Sequence, residues 1–235
     1  MAMAAPMATT TARPTAPNPT ITTTMTTDLL TLAQWLSPAF PVGAFSYSHG
    51  LEAAFEAGWI ADAAGLEAWL ADLLTDGSAA ADARLLAAAW HGHTPLEEVD
   101  ATARAFAASA ERLTETEAQG AAFCATHGAI WGGKFAALTY PVALGAAVRA
   151  RGLPLDLTLA MYLQAFTANL VACAQRLGPI GQTEGQRILA NLAPRIEATA
   201  SAAADGDLAR LASSGFLSDV AAMRHETQYS RVFRT

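Results

Sequence analysis

The sequence predicts an all-α fold, a single-domain helical bundle of about eight to ten helices. The chain has 235 residues and is 52% hydrophobic, which is ample for a buried core. Its apolar residues are mostly Ala and Leu, with only 7 Val and 6 Ile, so helix propensity exceeds strand propensity. Apolar residues recur at helical spacing, and no two alternating segments are joined by a turn dipeptide. Because no long polar linker interrupts residues 28–223, we expect them to form one domain.

The first 27 residues differ from the rest of the chain. Residues 1–27 contain 10 Thr, 4 Pro and a single Arg. This composition cannot build a core, so we predict a disordered Thr/Pro-rich extension. The segment lacks the apolar stretch of a secretory signal. Met25 is an alternative start, which leaves open whether residues 1–24 belong to the native protein.

The first two helices are separated by a loop rich in helix breakers. Apolar periodicity predicts a helix from Leu29 to Leu36, and Ser37-Pro38 stops it. Prolines and a glycine then form an irregular connection, after which the helical period resumes at Leu51.

The remaining helices follow from the same periodicity. The clearest amphipathic stretch carries its apolar residues on one face: Leu66, Trp69, Leu70, Leu73 and Leu74. Further helices are predicted over residues 79–91, 96–118, 119–138, 141–151, 156–177, 182–204 and 216–224. Within the helix over 182–204, we expect Pro194 to cause a kink or a split.

Composition excludes several function classes. The formal net charge of -7 and the pI near 5.1 argue against a nucleic-acid-binding protein, which needs a basic surface for phosphates. Charged or polar residues recur within every hydrophobic stretch, so no membrane span is expected. Cys124 and Cys173 lie in apolar helical contexts rather than in a disulfide framework, which is compatible with a cytoplasmic location.

Two sequence patterns suggest enzyme chemistry, and both are incomplete. Residues 128–134 match G-x-x-x-x-G-K, but Phe135 stands where a phosphate-binding loop needs Ser or Thr, and the flanks are helical. Ser48 lies in S-Y-S-H-G, which lacks the first glycine of a nucleophile elbow and the strand before it. We therefore predict no catalytic residue; a serine hydrolase using Ser48 is the remote alternative.

Metal ligands are also sparse, and we predict no metal site. His91 with His93, and Cys124 with His127, provide two ligands each, whereas structural zinc takes four. The acidic pairs Glu97-Glu98 and Glu115 with Glu117 have no obvious partner, and we interpret them as solvated helix faces.

The least repetitive parts of the chain lie near its two ends. One is Leu36–Glu52, which reads LSPAFPVGAFSYSHGLE; the other is Met223–Arg234, which reads MRHETQYSRVFR. The second brings three arginines, a histidine and two aromatic residues to the end of an acidic chain. Arg, Tyr and Phe often dominate buried contacts, so this tail is predicted to dock.

Both segments resemble the signatures of the urease accessory protein UreF family, in the expected order. Tyr140–Gly145 and Leu177–Gln186 also resemble that family, so the resemblance covers residues 28–235. It implies an all-helical, dimeric protein without catalytic activity, a scaffold or co-chaperone that joins UreD (also called UreH) and the GTPase UreG. This complex inserts nickel into apo-urease. The resemblance further implies that no cofactor is bound stably, since nickel is handled by the complex and GTP is bound by UreG.

The resemblance also suggests which residues bind partners. In the tail, residues 224–235, the candidates for binding UreD are Arg224, His225, Glu226, Tyr229, Arg231, Phe233 and Arg234; the alternative is that the tail folds back on its own bundle. Candidates for the dimer face, the UreG surface or an internal passage are Phe40, Phe45, Tyr47, Ser48, His49, Gln182, Thr183, Glu184 and Gln186. An alternative function is regulation of GTP hydrolysis by UreG, with Arg176, Arg187 and Lys134 as conceivable electrostatic donors.

Overall fold

The computed structural model describes residue 1 and residues 19–133 and 136–235, with side chains from Thr26 onward. Over this range the chain is helical and forms a single domain, which confirms the predicted fold class. The α-helices are α1 Pro19–Trp35, α2 Leu51–Glu56, α3 Ala63–Asp76, α4 Ser78–His91, α5 Leu96–Ala105, α6 Ala110–Trp131, α7 Tyr140–Ala150, α8 Leu155–Leu177, α9 Gln182–Ala203 and α10 Phe216–His225. Short 3-10 turns lie at Ala44–Ser46 and Leu208–Arg210.

The centre of the bundle is the packing of α4 on α7, flanked by α8 and α9. Gly145 allows the close approach of α7 to α4, because a Cβ atom there would lie 2.3 Å from the Leu86 carbonyl oxygen. By length and composition α8 is the one helix, among the described residues, that could cross a membrane; it packs against α2, α3, α4 and α9 as a core helix.

The first helix starts earlier than predicted. It begins at Pro19 rather than near Leu29, so residues 19–27 are helical. The rest of the predicted disordered extension, residues 2–18, lies outside the described part. The end of α1 is fixed by Trp35, whose ring makes edge contacts with Phe123 and Trp131 of α6 at centroid distances of 5.6 and 5.4 Å.

The prediction of helices over 96–118 and 119–138 was wrong in its boundary. The break lies between Ala105 and Ala110, where the Ser109 hydroxyl oxygen accepts a hydrogen bond from the Arg112 N–H and caps α6. Gly120 does not end a helix. It lies inside α6, where a Cβ atom would come within 1.9 Å of the Leu138 carbonyl oxygen, so the glycine serves close packing.

Pro194 does not split its helix. Helix α9 runs without interruption from Gln182 to Ala203. Pro194 has no backbone N–H, so the Ala190 carbonyl loses its hydrogen-bond donor within the helix. Because Ala190 is exposed, water can donate to this carbonyl instead.

Candidate partner-binding site

The tail folds back on the segment Ser46–Glu52, so the two terminal motifs form one site. Helix α10 packs against α2 and α6, and residues 226–235 follow it back across the same region. Gly50 makes this approach possible. Its φ is +75°, and a Cβ atom there would lie 2.4 Å from the backbone nitrogen of Ala222 in α10. Only glycine satisfies both conditions.

Glu52 is the main anchor for the tail. Its side chain is buried, and its two carboxylate oxygens accept hydrogen bonds from the N–H groups of Val232 at 2.7 Å and Phe233 at 2.9 Å. The Nε2 atom of His225 lies 3.4 Å from the same carboxylate. Backbone N–H bonds to a carboxylate are stronger than neutral ones, so one side chain fixes the path of the tail.

His225 lies between two carboxylates at the end of α10. The residue is fully buried, and its Nδ1 atom is 2.7 Å from the Glu111 carboxylate in α6, opposite the contact with Glu52. Glu111 also forms an ion pair with Arg231 of the tail. These contacts join α2, α6 and α10 around the buried His225 ring.

The last residues of the chain bond to the N-terminal motif directly. The Thr235 carbonyl oxygen accepts hydrogen bonds from the Ser48 N–H, at 2.8 Å, and from the Ser48 hydroxyl. The Arg234 N–H donates to the Ser46 carbonyl at 2.8 Å. The alternative that the tail folds back on its own bundle is therefore realised in this chain.

Two further tail residues have partners in the bundle. The Glu226 carboxylate accepts a hydrogen bond from the Ala110 N–H at 2.7 Å and so caps the N-terminus of α6, where a negative charge is favourable. Phe233 is buried, and the guanidinium of Arg176 lies 4.3 Å from its ring centroid. Arg176 also donates to the Phe45 carbonyl at 3.0 Å.

Beneath the tail lies a second buried cluster, centred on Glu115 of α6. Its carboxylate accepts from Gln119 at 2.8 Å and from the Thr235 hydroxyl at 3.0 Å, and it pairs with His49 Nε2 at 2.9 Å and with Arg112. Burial alone would raise the pKa of Glu115, but the positive charges of Arg112 and His49 outweigh it and hold that pKa at about 2. Glu115 is therefore ionised, and the interpretation of it as part of a solvated face was wrong.

Part of the tail remains exposed. Tyr229 is fully exposed and Val232 is 60% exposed, and the side chains of Arg224 and Arg234 also face solvent. The predicted partner-binding residues thus fall into two groups. His225, Glu226, Arg231 and Phe233 hold the tail to the bundle, while Arg224, Tyr229 and Arg234 lie on its outer surface; Arg224 also covers the Trp59 ring, at 4.8 Å from its centroid.

The other predicted positions divide in the same way. In the loop before α2, Phe40, Tyr47, Ser48 and His49 are buried, and Phe45 is 65% exposed. At the start of α9, Gln182, Thr183 and Gln186 are exposed, whereas Glu184 accepts a hydrogen bond from the Gly181 N–H at 2.8 Å and caps the helix. The loop is brought together with the tail, and the start of α9 forms a separate surface.

The geometry around Ser48 does not resemble a hydrolase site. Its hydroxyl is fully buried and donates to Thr235, while the neighbouring His49 pairs with Glu115 instead of with the serine. A nucleophilic serine needs a hydrogen-bonded base and access to substrate. The G-x-x-x-x-G-K match begins inside α6 rather than after a strand, and Lys134 and Phe135 lie outside the described residues.

Sequence reasoning missed the acidic side of this site. Glu52 and Glu111 were not selected, and Arg112 and Asp82 were not considered. One signal was available, because Glu111, Glu115 and Gln119 are spaced four apart and so share one face of α6. The spacing does not reveal that this face is covered by the tail.

Comparison with known proteins identifies the family. The family model of UreF matches residues 60–193. The urease accessory protein UreF of Roseobacter denitrificans is 54% identical over 213 residues, which cover 90% of this chain and 96% of the relative. The chain belongs to the UreF family. The UreF of Cereibacter sphaeroides is 53% identical over 211 residues, covering 90% of this chain and all of the relative. That of Ruegeria pomeroyi is 50% identical over 209 residues, covering 88% and 96%.

Membership in the UreF family confirms the resemblance drawn from the four motifs. The relatives are named urease accessory proteins, and the chain spans nearly their whole length. Two of these motifs, Leu36–Glu52 and Met223–Arg234, are brought into contact by the fold through the Ser46–Glu52 end of the first.

Proposed function

We propose that this UreF protein is a non-catalytic scaffold and co-chaperone, which binds UreD (UreH) through its tail and joins it to the GTPase UreG. The complex inserts nickel into apo-urease in the cytoplasm, and the scaffold acts as a homodimer. One observation carries the proposal. Buried carboxylates bind the inner side of the tail. Its outer side exposes Tyr229, Val232 and Arg234, beside the exposed Phe45.

This arrangement suits protein binding for physical reasons. Exposed Tyr and Arg are the residue types that most often anchor protein interfaces. Because the tail is ordered by its own bundle, a partner would not have to supply the full entropy cost of fixing it. Nickel is cargo in this proposal, and nucleotide chemistry is left to UreG.

Co-expression provides the direct test. Tagged protein produced with UreD and UreG is expected to elute from size exclusion as one complex containing all three chains. Cells that lack this gene should contain urease protein with little activity and little bound nickel. Normal nickel content and urease activity in such cells would contradict the proposal.

Regulation of GTP hydrolysis by UreG is a second candidate. Arg187 is exposed on the first turns of α9 and makes no ion pair with any described residue, so its charge is available to a partner. Arg176 is less available because it bonds to Phe45 and covers Phe233. GTP turnover by UreG in the purified complex should fall in Arg187→Ala if the arginine acts on phosphate. It should be unchanged in Arg195→Ala, which removes an exposed arginine two turns further along α9 whose guanidinium donates to the Thr75 hydroxyl.

A further inference from the structure

Arg176 of α8 connects the loop before α2 to the tail. Its guanidinium donates to the Phe45 carbonyl at 3.0 Å and lies 4.3 Å from the ring centroid of Phe233. Phe233 is buried, whereas Phe45 and Arg176 are exposed. Three distant parts of the chain therefore meet at one position on the protein surface.

Arg234 brings a second positive charge to the same region. It follows Phe233 directly, and its backbone N–H binds the carbonyl of Ser46, the residue after Phe45. The side chain of Arg234 is exposed. Within the described part of the chain, neither Arg176 nor Arg234 forms an ion pair. Both guanidinium groups are therefore left without a neutralising carboxylate.

The acidic groups next to the tail are already used within the chain. Glu52 is buried and accepts from two backbone N–H groups of the tail. Glu111 pairs with Arg231, and Glu226 accepts from an N–H at the start of α6. The unpaired charge around Phe45 and the end of the tail is thus positive, although the whole chain has a formal net charge of -7.

Two unpaired guanidinium groups favour a partner that supplies carboxylates. Arginine binds a carboxylate through parallel N–H bonds, a geometry that lysine cannot reproduce. The guanidinium of Arg176 is also held in place by Phe45 and Phe233, so little of its conformational entropy remains to be lost on binding. The exposed rings of Phe45 and Tyr229 can supply aromatic contacts beside these charges.

We propose that Arg176 and Arg234 form a basic binding surface, which receives carboxylates from an acidic patch on UreD. The inference rests on the proposed function, because it describes the chemistry of the partner surface that the tail contacts. It also extends the binding surface from the tail to α8. Complementary charge of this kind accelerates association and disfavours partners of like charge.

The test compares the charge variant Arg176→Gln/Arg234→Gln with the control Arg149→Gln/Arg151→Gln. Arg149 and Arg151 lie at the C-terminal end of α7, are exposed, and form no ion pair with any described residue, so the control loses the same charge elsewhere. Surface plasmon resonance measures the rate of association with UreD at low and high salt.

Salt dependence shows whether charge drives the association. Because salt screens exposed charges, wild type and control are expected to associate with UreD about tenfold faster at about 50 mM than at about 500 mM NaCl. At low salt the charge variant should associate about tenfold more slowly than wild type, and its rate should change less than about threefold with salt. Arg176→Lys/Arg234→Lys keeps both charges and should restore most of the rate.

Arg234→Gln keeps the test valid if Arg176→Gln disturbs the tail. Arg234 binds Ser46 through its backbone, so this single variant should fold as wild type and associate about threefold more slowly at low salt. A salt-independent rate for wild type, a wild-type rate for the charge variant, or failure of the lysine variant to restore the rate would overturn the proposal while UreD binding itself stands. Absence of UreD binding by wild type would instead contradict the proposed function.

Discussion

Replacing Glu52 with Ala should lower the free energy of unfolding by about 3 to 5 kcal/mol, the cost of removing one partner from a buried charged network. The variant leaves the N–H groups of Val232 and Phe233 without their acceptor and His225 with a single carboxylate. The tail should then detach from Ser46–Glu52 before the bundle unfolds. Urea denaturation measures the loss of stability, and limited proteolysis measures release of the tail.

Glu56 provides the matched control for this prediction. It lies one turn further along α2 and is exposed, so Glu56→Ala should change stability by less than about 0.5 kcal/mol. If Glu52→Ala were as stable as Glu56→Ala and kept its tail resistant to protease, the contacts of Glu52 would not hold the tail.

Replacing Arg112 with Met should also cost about 3 to 5 kcal/mol at neutral pH, because it leaves Glu115 and Asp82 buried without their guanidinium. Arg210→Met is the control. Arg210 pairs with Asp205 on the surface, and losing such a pair typically costs at most about 1 kcal/mol. If the two variants lost equal free energy of unfolding, the buried Arg112 cluster would contribute no more to stability than a surface ion pair.

The pH dependence of the same variant follows from the low pKa of Glu115. Since that pKa is about 2 in the folded chain, against an ordinary value of 4.5, ionised Glu115 stabilises the fold above about pH 4.5. This contribution is lost as the pH falls towards 2. Without Arg112, burial should raise the pKa of Glu115, and its protonation then relieves the buried charge. The stability difference between wild type and Arg112→Met should therefore shrink between pH 7 and pH 4, as measured by urea denaturation at each pH.

The sequence predicted the helices better than it predicted their contacts. Apolar periodicity is a local property, and it located α3, α4, α7, α8 and α9 to within a few residues. The break before α6 was missed because Ser109 caps the helix without any proline or glycine nearby. The predicted boundary at residues 118–119 falls inside α6, where Gly120 permits close packing against Leu138.

The site was predicted only in part, because its contacts join distant parts of the chain. Ser48 and Thr235 are 187 residues apart in sequence, and Glu52 and Phe233 are 181 apart. Motif resemblance selected both segments, but no local pattern states that one binds the other. Glu115 shows the consequence. It was interpreted as part of a solvated face, but it is 1% exposed because Thr235 of the tail and His49 of the loop before α2 lie against it.

The central claim is that the outer surface of the folded-back tail binds UreD. The double variant Tyr229→Ala/Arg234→Ala tests this claim. Tyr229 is fully exposed, and Arg234 contacts Ser46 through its backbone N–H, which the substitution keeps. The two substitutions therefore change the outer surface of the tail and leave its contacts with the bundle in place. Its stability should stay within about 0.5 kcal/mol of wild type. The control, Phe106→Ala/Arg210→Ala, removes an exposed aromatic residue and an exposed arginine elsewhere.

The decisive measurement is the affinity of each purified protein for UreD. Interface anchors typically contribute 2 kcal/mol or more, so we expect the Tyr229→Ala/Arg234→Ala protein to bind UreD at least about 30-fold more weakly than wild type, with the control unchanged. Wild-type affinity in the folded double variant would contradict the claim that the tail surface is the binding site.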